Sequence, residues 1–371
     1  MKNGWQTKTL GDIAEISAGN SAPQDESLFK DGTYPFFRTA DAGRVRFGDI
    51  CESTDYLNEE GVQGLRRFPK GAILFPKSGA STFLNHRVIL GVEGCVSSHL
   101  ATIVADETQI KPRFLLYYLS TVAAQDLVQD HAYPSLNLPT IAGISIQVPP
   151  LPEQQRIVGI LDEAFDGIAT GKANAEKNLQ NARALFESHL HGPETEKASL
   201  GDLVKIRTGK LDANAAVEGG QYPFFTCSRE IYAIDDYAFD CEAILLAGNN
   251  AVGDFNVKHY KGKFNAYQRT YVITVNEKNR VLYRFLYFQM LKSLKRFKAQ
   301  SVGAGTKFLK LDMIKEMEIA LPSLAEQQLI VSTMDSIRKE TERLESIYQQ
   351  KLDALEELKK SLLHQAFSGQ L

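Results

Sequence analysis

With 371 residues, 43% hydrophobic and 23% charged, the chain has the composition of an ordinary globular protein of two or three domains. Lys and Arg total 42 against 45 Asp and Glu, a net charge of -3, so no global positive field announces nucleic acid, although local basic patches stay open. The four cysteines, Cys51, Cys95, Cys227 and Cys241, form no C-x-x-C pair, which argues against both a zinc site and a disulfide framework.

The polar start, Met1-Lys2-Asn3-Gly4-Trp5, lacks an apolar signal core, and no run of about 18 apolar residues could span a bilayer; both point to a cytoplasmic protein. Leu10-Gly11-Asp12-Ile13 and Gly32-x-Tyr34-Pro35-Phe36-Phe37 come next. Residues 72–75 and 100–104 read as short strands bounded by Gly and Pro. The aromatic stretch 114–119 has the 3–4 spacing of a helix packed on a sheet. Pro149-Pro150-Leu151-Pro152 closes this globular segment, and Glu153-Gln154-Gln155 opens a long helix with Pro152 in its first turn.

From Ile157 an apolar series runs Leu161, Ala164, Ile168, Gly171, Ala175, Asn178, Ala182, Leu185, a seam rich in small residues that ends near Gly192. The chain then repeats its plan. Leu200-Gly201-Asp202-Leu203, Gly220-x-Tyr222-Pro223-Phe224-Phe225, strands at 243–246 and 270–273, and a helix over 285–291 follow in order. Leu321-Pro322 ends the second segment, Ser323-x-x-Glu326 is a capping box, and Glu326-Gln327-Gln328 opens a second long helix. Its seam reads Met334, Ile337, Thr341, Leu344, Tyr348, Lys351, Leu355, Leu358, Leu362, alternating steps of four and three up to a stop near Gly369. Ile157 matches Ile330 but Leu185 matches Leu362, so the second helix carries four extra residues, the size of a stutter. At about 1.5 Å per residue each helix spans roughly 57–66 Å, and antiparallel pairing within the chain would bury both stripes.

Catalytic chemistry is not visible. His189 and His191 lie two apart on a helix, on different faces, and cannot share a metal. There is no H-E-x-x-H, Walker loop or G-x-S-x-G; Val148-Pro149-Pro150-Leu151 lacks the polar head and aromatic tail of an adenine methyltransferase motif, and Gly303-Ala304-Gly305-Thr306-Lys307 lacks phosphate-loop spacing.

Trp5 with Leu-Gly-Asp-Ile, the Tyr-Pro-Phe-Phe turn, and the Leu-Pro and Glu-Gln-Gln opening of each long helix together resemble the specificity subunits of Type I restriction-modification enzymes. The ending Leu362-Leu363-x-x-Ala366-Phe367-x-Gly369-x-Leu371 is similar to that family's helix end, while the first helix departs from it with His189 where the second has Ala366. The resemblance implies an α+β chain: two β-rich target recognition domains separated by two long antiparallel helices in an intramolecular coiled coil, a pseudo-twofold repeat. Its parts would be recognition domain 1 at 1–150, the family's conserved helix 1 at 151–192, recognition domain 2 at 193–322 and conserved helix 2 at 323–371.

The resemblance further implies a non-catalytic subunit that reads a split target in double-stranded DNA and docks two methyltransferase subunits. Restriction subunits would join, and the S-adenosylmethionine, ATP and Mg would be used by the partners, with no cofactor or metal bound by this chain. A paired-domain protein adaptor without DNA specificity is the rival reading; a nuclease with a divergent site, cleaving with metal, is a third.

DNA-contact candidates follow from residue chemistry, since Lys and Arg meet phosphates while Arg, Lys, Asn and Gln pair with base edges. In the first domain they are Lys77, Ser78 and Ser81, with Asn85 and Arg87 beyond. In the second they are Asn249, Asn250, Lys258, Lys261, Gln268, Arg269, Lys307 and Lys310. The Tyr-Pro-Phe-Phe aromatics are shared by both halves and so read as core, because different half-sites require residues that differ. Lys292, Lys295, Arg296 and Lys298 read by default as a solvated helix face with some benefit from the helix dipole, and a phosphate-tracking role is the alternative.

Overall fold

The computed structural model describes residues 4–132, 134–189, 196–276 and 280–371, with side chains up to Phe186 in the second of these stretches. The chain divides into two compact units, Met1–Ala173 with Leu352–Leu371, and Asn174–Lys351. Each unit therefore takes a piece of both long helices.

In the first unit a five-stranded sheet runs in the order Ala14–Ala18, Leu100–Ala105, Ile73–Pro76, Arg87–Leu90, Phe47–Ile50, with only the last pair parallel. A smaller sheet is ordered Asp55–Leu57, Tyr34–Phe37, Gly94–Val96, Arg67–Phe68. The Pro112–Ser120 helix (α1) buries Phe114, Leu115, Leu116, Tyr117 and Leu119. The second unit joins the counterparts of most of these strands, without a separate strand for either Phe47–Ile50 or Arg67–Phe68, into one six-stranded sheet: Val204–Thr208, Thr270–Val275, Phe239–Ala247, Val257–Ala266, Tyr222–Phe225, Tyr232–Ile234.

Tyr-Pro-Phe-Phe is not a turn but a strand in both copies. Phe36 and Phe37 pair in parallel with Cys95 and Val96, as Phe224 and Phe225 do with Asn265 and Ala266. All four rings are buried, which confirms the core reading of these aromatics. Leu-Gly-Asp is structural too: Leu10–Ile13 is a single helical turn, and Asp12 accepts the Thr9 amide at 2.8 Å and its hydroxyl at 2.7 Å.

The long helices are Leu151–His189 (α2) and Leu324–Ser368 (α4). The Ser323 box forms as expected, with the Ser323 amide donating to Glu326 at 2.9 Å and the Glu326 amide to the Ser323 hydroxyl at 3.4 Å. Gly369, at φ 73°, ends α4; Gly192 and His191 lie outside the described residues. In the first unit the Arg156 guanidinium donates to the Leu371 carbonyl at 2.8 Å and Lys172 pairs with Glu356 at 2.9 Å, so the two helices run antiparallel. In the second, Arg183 pairs with Glu345 at 2.7 Å.

The seam keeps its expected register only part of the way. In α4 Leu355 turns inward as expected, but Lys351 and Leu358 face solvent, and Leu352 and Lys359 turn inward in their place. In α2 Asn178 and Leu185 are exposed, while Leu179 and Phe186 are partly covered. Both helices thus take two successive four-residue steps, 171–175–179 and 344–348–352, where the chain passes from one unit to the other. A 3-4-4 rhythm is the eleven-residue repeat, whose 3.67 residues per turn relieve the drift that a strict heptad accumulates against a straight helix. The Lys172 and Arg183 ion pairs stand eleven residues apart on each helix, in agreement.

The Glu-Gln-Gln motif owes its recurrence to its middle residue. Gln154 and Gln327 are fully buried, while Gln155 and Gln328 are exposed. Gln154 accepts the Lys111 amide at 2.8 Å and donates to the Gln109 and Pro149 carbonyls at 2.9 and 2.8 Å. Gln327 accepts the Leu282 amide at 2.9 Å and donates to the Arg280 and Pro322 carbonyls at 2.8 and 2.9 Å. Lys111 precedes α1, and Leu282 precedes its counterpart Tyr283–Gln300 (α3), so one amide side chain ties each long helix to the start of its domain's helix. Arg113 to Asp162 (3.2 Å) and Arg284 to Asp335 (2.9 Å) repeat the tie about two turns further along each long helix.

Candidate nucleic-acid interface

In the first unit, the loop after Ile73–Pro76 is stapled to the segment 124–136. Gly79, at φ 72°, donates its amide to the Pro134 carbonyl at 2.9 Å, and Ser78 bridges to Ser135. Ser81 donates to the Ser78 carbonyl at 3.0 Å. Asn85 accepts the Ala124 amide at 2.7 Å and donates to Gln125 at 2.8 Å, so its amide group holds the loop closed. Lys77 is half-exposed and makes no ion pair among the described residues.

Arg87 corrects the sequence reading. It is fully buried, with its guanidinium carbon 3.5 Å from the centroid of the Phe75 ring, and it donates to the His86 and Val122 carbonyls at 2.8 and 3.3 Å. No carboxylate pairs with it among the described residues, and burial pulls its pKa down to about 9. The unbroken run Val88-Ile89-Leu90 marks a strand covered on both faces, and Arg87 begins that strand. It cannot reach a ligand from there.

The neighbouring Arg46 escaped the sequence reading. It adopts φ 67° and ψ -47°, its amide donates to the Ala42 carbonyl at 2.7 Å, and its carbonyl accepts the Arg87 amide at 2.9 Å. Its side chain is exposed and makes no ion pair among the described residues. Burial first, and then the charges of Arg46 and Arg87, hold the His86 pKa below its usual value.

The second unit gathers more of its candidates. Asn249 and Asn250 pair with Phe308 and Lys307, and the Arg269 guanidinium lies 5.2 Å from the Phe308 ring centroid. Asn250 turns its side chain onto its own loop, accepting the Val252 and Asp254 amides at 2.9 and 3.0 Å. Lys258 is half-buried, donating to the Ser228 carbonyl and to Asn256 at 2.6 Å each; burial, and secondarily Arg229, lower its pKa. Gln268 is exposed and donates to Asp212, and Lys310 is exposed at the cap of the short Leu311–Lys315 helix. Lys261 stands apart, on the stretch of its strand paired to Glu242, with which it makes an ion pair at 3.6 Å.

The basic segment 292–298 belongs to α3, which at 18 residues is twice the length of α1. Lys295 and Lys298 line a cleft of about 490 Å³ with Lys258, Arg229 and Arg338, while Lys292 and Arg296 do not. Among the described residues no group of three His, Cys, Asp or Glu could hold a metal ion, and no helix is long and apolar enough to cross a membrane.

Comparison with known proteins places the chain in a family. The chain is 41% identical over 172 residues to the Type I restriction enzyme EcoDI specificity subunit of Escherichia coli, a match covering 46% of this chain and only 37% of that relative. A chain in a structure described as the basis of complex assembly and conformational transition of the type I R-M system shares the fold, with TM-score 0.79, 17% identity, and coverage of 100% of this chain and 99% of that one. The HsdS subunit from Thermoanaerobacter tengcongensis follows at TM-score 0.57 and 16% identity, covering 100% of this chain and 98% of its own. The family model described as Type I restriction modification DNA specificity domain matches twice, over residues 2–179 and 193–356, and the chain belongs to that family.

Proposed function

We propose that this chain is the non-catalytic, sequence-specific DNA-binding subunit of a Type I restriction-modification complex. The segments 1–150 and 193–322 each read one part of a bipartite target. The helical segments 151–192 and 323–371 set the spacing and dock two methyltransferase subunits. Restriction subunits join this assembly, and S-adenosylmethionine, ATP and Mg serve the partners rather than this chain. Such a complex works on cytoplasmic DNA. The observation that carries the reading is the double family match laid over a repeat whose frame is copied and whose loops are not. Gln154 and Gln327 keep the same partners, whereas the Lys77–Asn85 loop and the 248–258 loop share neither length nor chemistry.

Replacing residues 1–150 with the matching region of a relative should change one half of the methylated motif and leave the other intact. Genome-wide methylation calling reads this directly, and a change in both halves refutes the two-reader model. A protein adaptor, by contrast, would show no sequence preference in a gel shift with its methyltransferase partner.

A further inference from the structure

The cleft in the second unit is lined mainly by cations among its charged residues. Five cations, Arg229, Lys258, Lys295, Lys298 and Arg338, line it against one carboxylate, Asp254. Asp254 is engaged with Arg229 at 2.6 Å, and Arg338 with Glu342 at 2.8 Å. Lys258 and Lys298 make no ion pair among the described residues. The Lys258 ammonium spends two of its three donors on Ser228 and Asn256, leaving one for a ligand. Concave sites with walls of low polarity strengthen such fields, and here Leu291, Leu294 and Phe255 supply those walls.

The cleft is also continuous with the candidate reading loop. Gly253, at φ 73°, is the point of closest approach: a Cβ there would lie 3.3 Å from the Lys298 side chain and 3.5 Å from that of Lys307, and Lys307 itself pairs with Asn250. A side chain at 253 would both strain the backbone and crowd the two lysines. The first unit lacks the helical extension that supplies Lys295 and Lys298. Its helix α1 stops at Ser120, and Arg113 is neutralised by Asp49 at 2.8 Å and Asp162 at 3.2 Å.

We infer that this cleft binds a phosphate group through Lys258, Lys298 and Arg229, and that the phosphate comes from the DNA backbone beside the bases read by the 248–258 loop. The inference deepens the function proposed above and rests on it for the source of the phosphate. One domain would then grip the backbone through a built site while the other relies on its loops alone.

The test is the double variant Lys258→Gln/Lys298→Gln in the full chain, with the exposed Lys298→Gln alone as a control for folding. Binding to the methylation-mapped target and to an unrelated duplex is measured by anisotropy across salt. Both affinities should fall by the same factor, and the log–log salt slope should drop by about 2, because each lysine neutralises about one phosphate. Inorganic tripolyphosphate should raise the melting temperature of the wild type and not of the double variant. If tripolyphosphate protects while the DNA slope is unchanged, the phosphate site stands and its source is a free polyphosphate. Unchanged slope with no tripolyphosphate response overturns the inference, as does failure of the double variant to co-purify with the methyltransferase while both phosphate readouts stay intact, which would make the ligand an acidic protein surface. A wild-type chain that binds no duplex would refute the DNA-reading function, and the tripolyphosphate melt would still report on the cleft.

Discussion

Replacing Gln154 with Leu tests whether one amide group joins helix and domain. The side chain satisfies one backbone N–H and two carbonyls in a fully buried position. Leucine fills much of the volume but leaves all three groups without a partner. Each buried unsatisfied group costs about 1–3 kcal/mol, and with partial relaxation the sum comes to about 3–5 kcal/mol. That is a large share of the roughly 5–15 kcal/mol that holds a domain together. For a unit of this size it amounts to a fall in melting temperature of about 10 °C. Calorimetry measures the fall, and hydrogen exchange localises it, because the Lys111 amide should become unprotected. Gln327→Leu should do the same to the second unit, with the Leu282 amide as reporter. The adjacent, exposed Gln155→Leu should stay within about 0.5 kcal/mol of wild type. If Gln154→Leu melts with that control, the buried tie is not what the repeated motif is for.

Arg46→Gly should raise stability by about 1 kcal/mol, because glycine accepts φ 67° without the strain an arginine bears there; Arg46→Ala should bring no gain, and denaturant titration distinguishes them. In the coil, Leu355→Asp should cost at least about 2 kcal/mol while Leu358→Asp costs less than about 0.5, since only Leu355 packs inward, 3.4 Å from where a Gly171 side chain would begin. Equal costs would restore the uninterrupted heptad. Burial holds the folded-state pKa of Arg87 down to about 9, below that of the unfolded chain, so the unfolded chain binds more protons above that pH. Wild type should therefore gain stability relative to Arg87→Met as pH rises from about 8 to about 10, as judged by urea titration, and a fall over that interval would contradict the assignment.

Much of the frame was legible because it obeys short-range rules. The strands at 72–75 and 243–246, the Ser323 box and both helix openings follow from turn residues, capping and apolar spacing. The recurrence of Glu-Gln-Gln was visible, but not its mechanism, because the partners of Gln154 lie 43 and 45 residues back in the chain. The seam failed for a subtler reason. Tyr348 fits either the 351 or the 352 continuation, and only packing against a partner helix decides between them. Arg87 was misplaced by the ordinary expectation that a guanidinium faces water, although the apolar run after it was a warning. Among the candidates for touching DNA, Asn85 and Asn250 carry the right chemistry for bases and use it to close their own loops.

The double four-residue step in each long helix restricts how this chain can vary in length. A helix gains about 100° of rotation per residue, so inserting four, seven or eleven residues returns the inward face to within roughly 40° of its place. Inserting two or five turns that face outward. Lengths compatible with a buried seam therefore form a discrete set, with spacings of about 6, 10 and 16 Å. The four extra residues between Ile330 and Leu362, relative to the matching span from Ile157 to Leu185, already belong to that set. Natural length variants of these helices should fall on such steps, so that the connector changes by notches rather than by degrees.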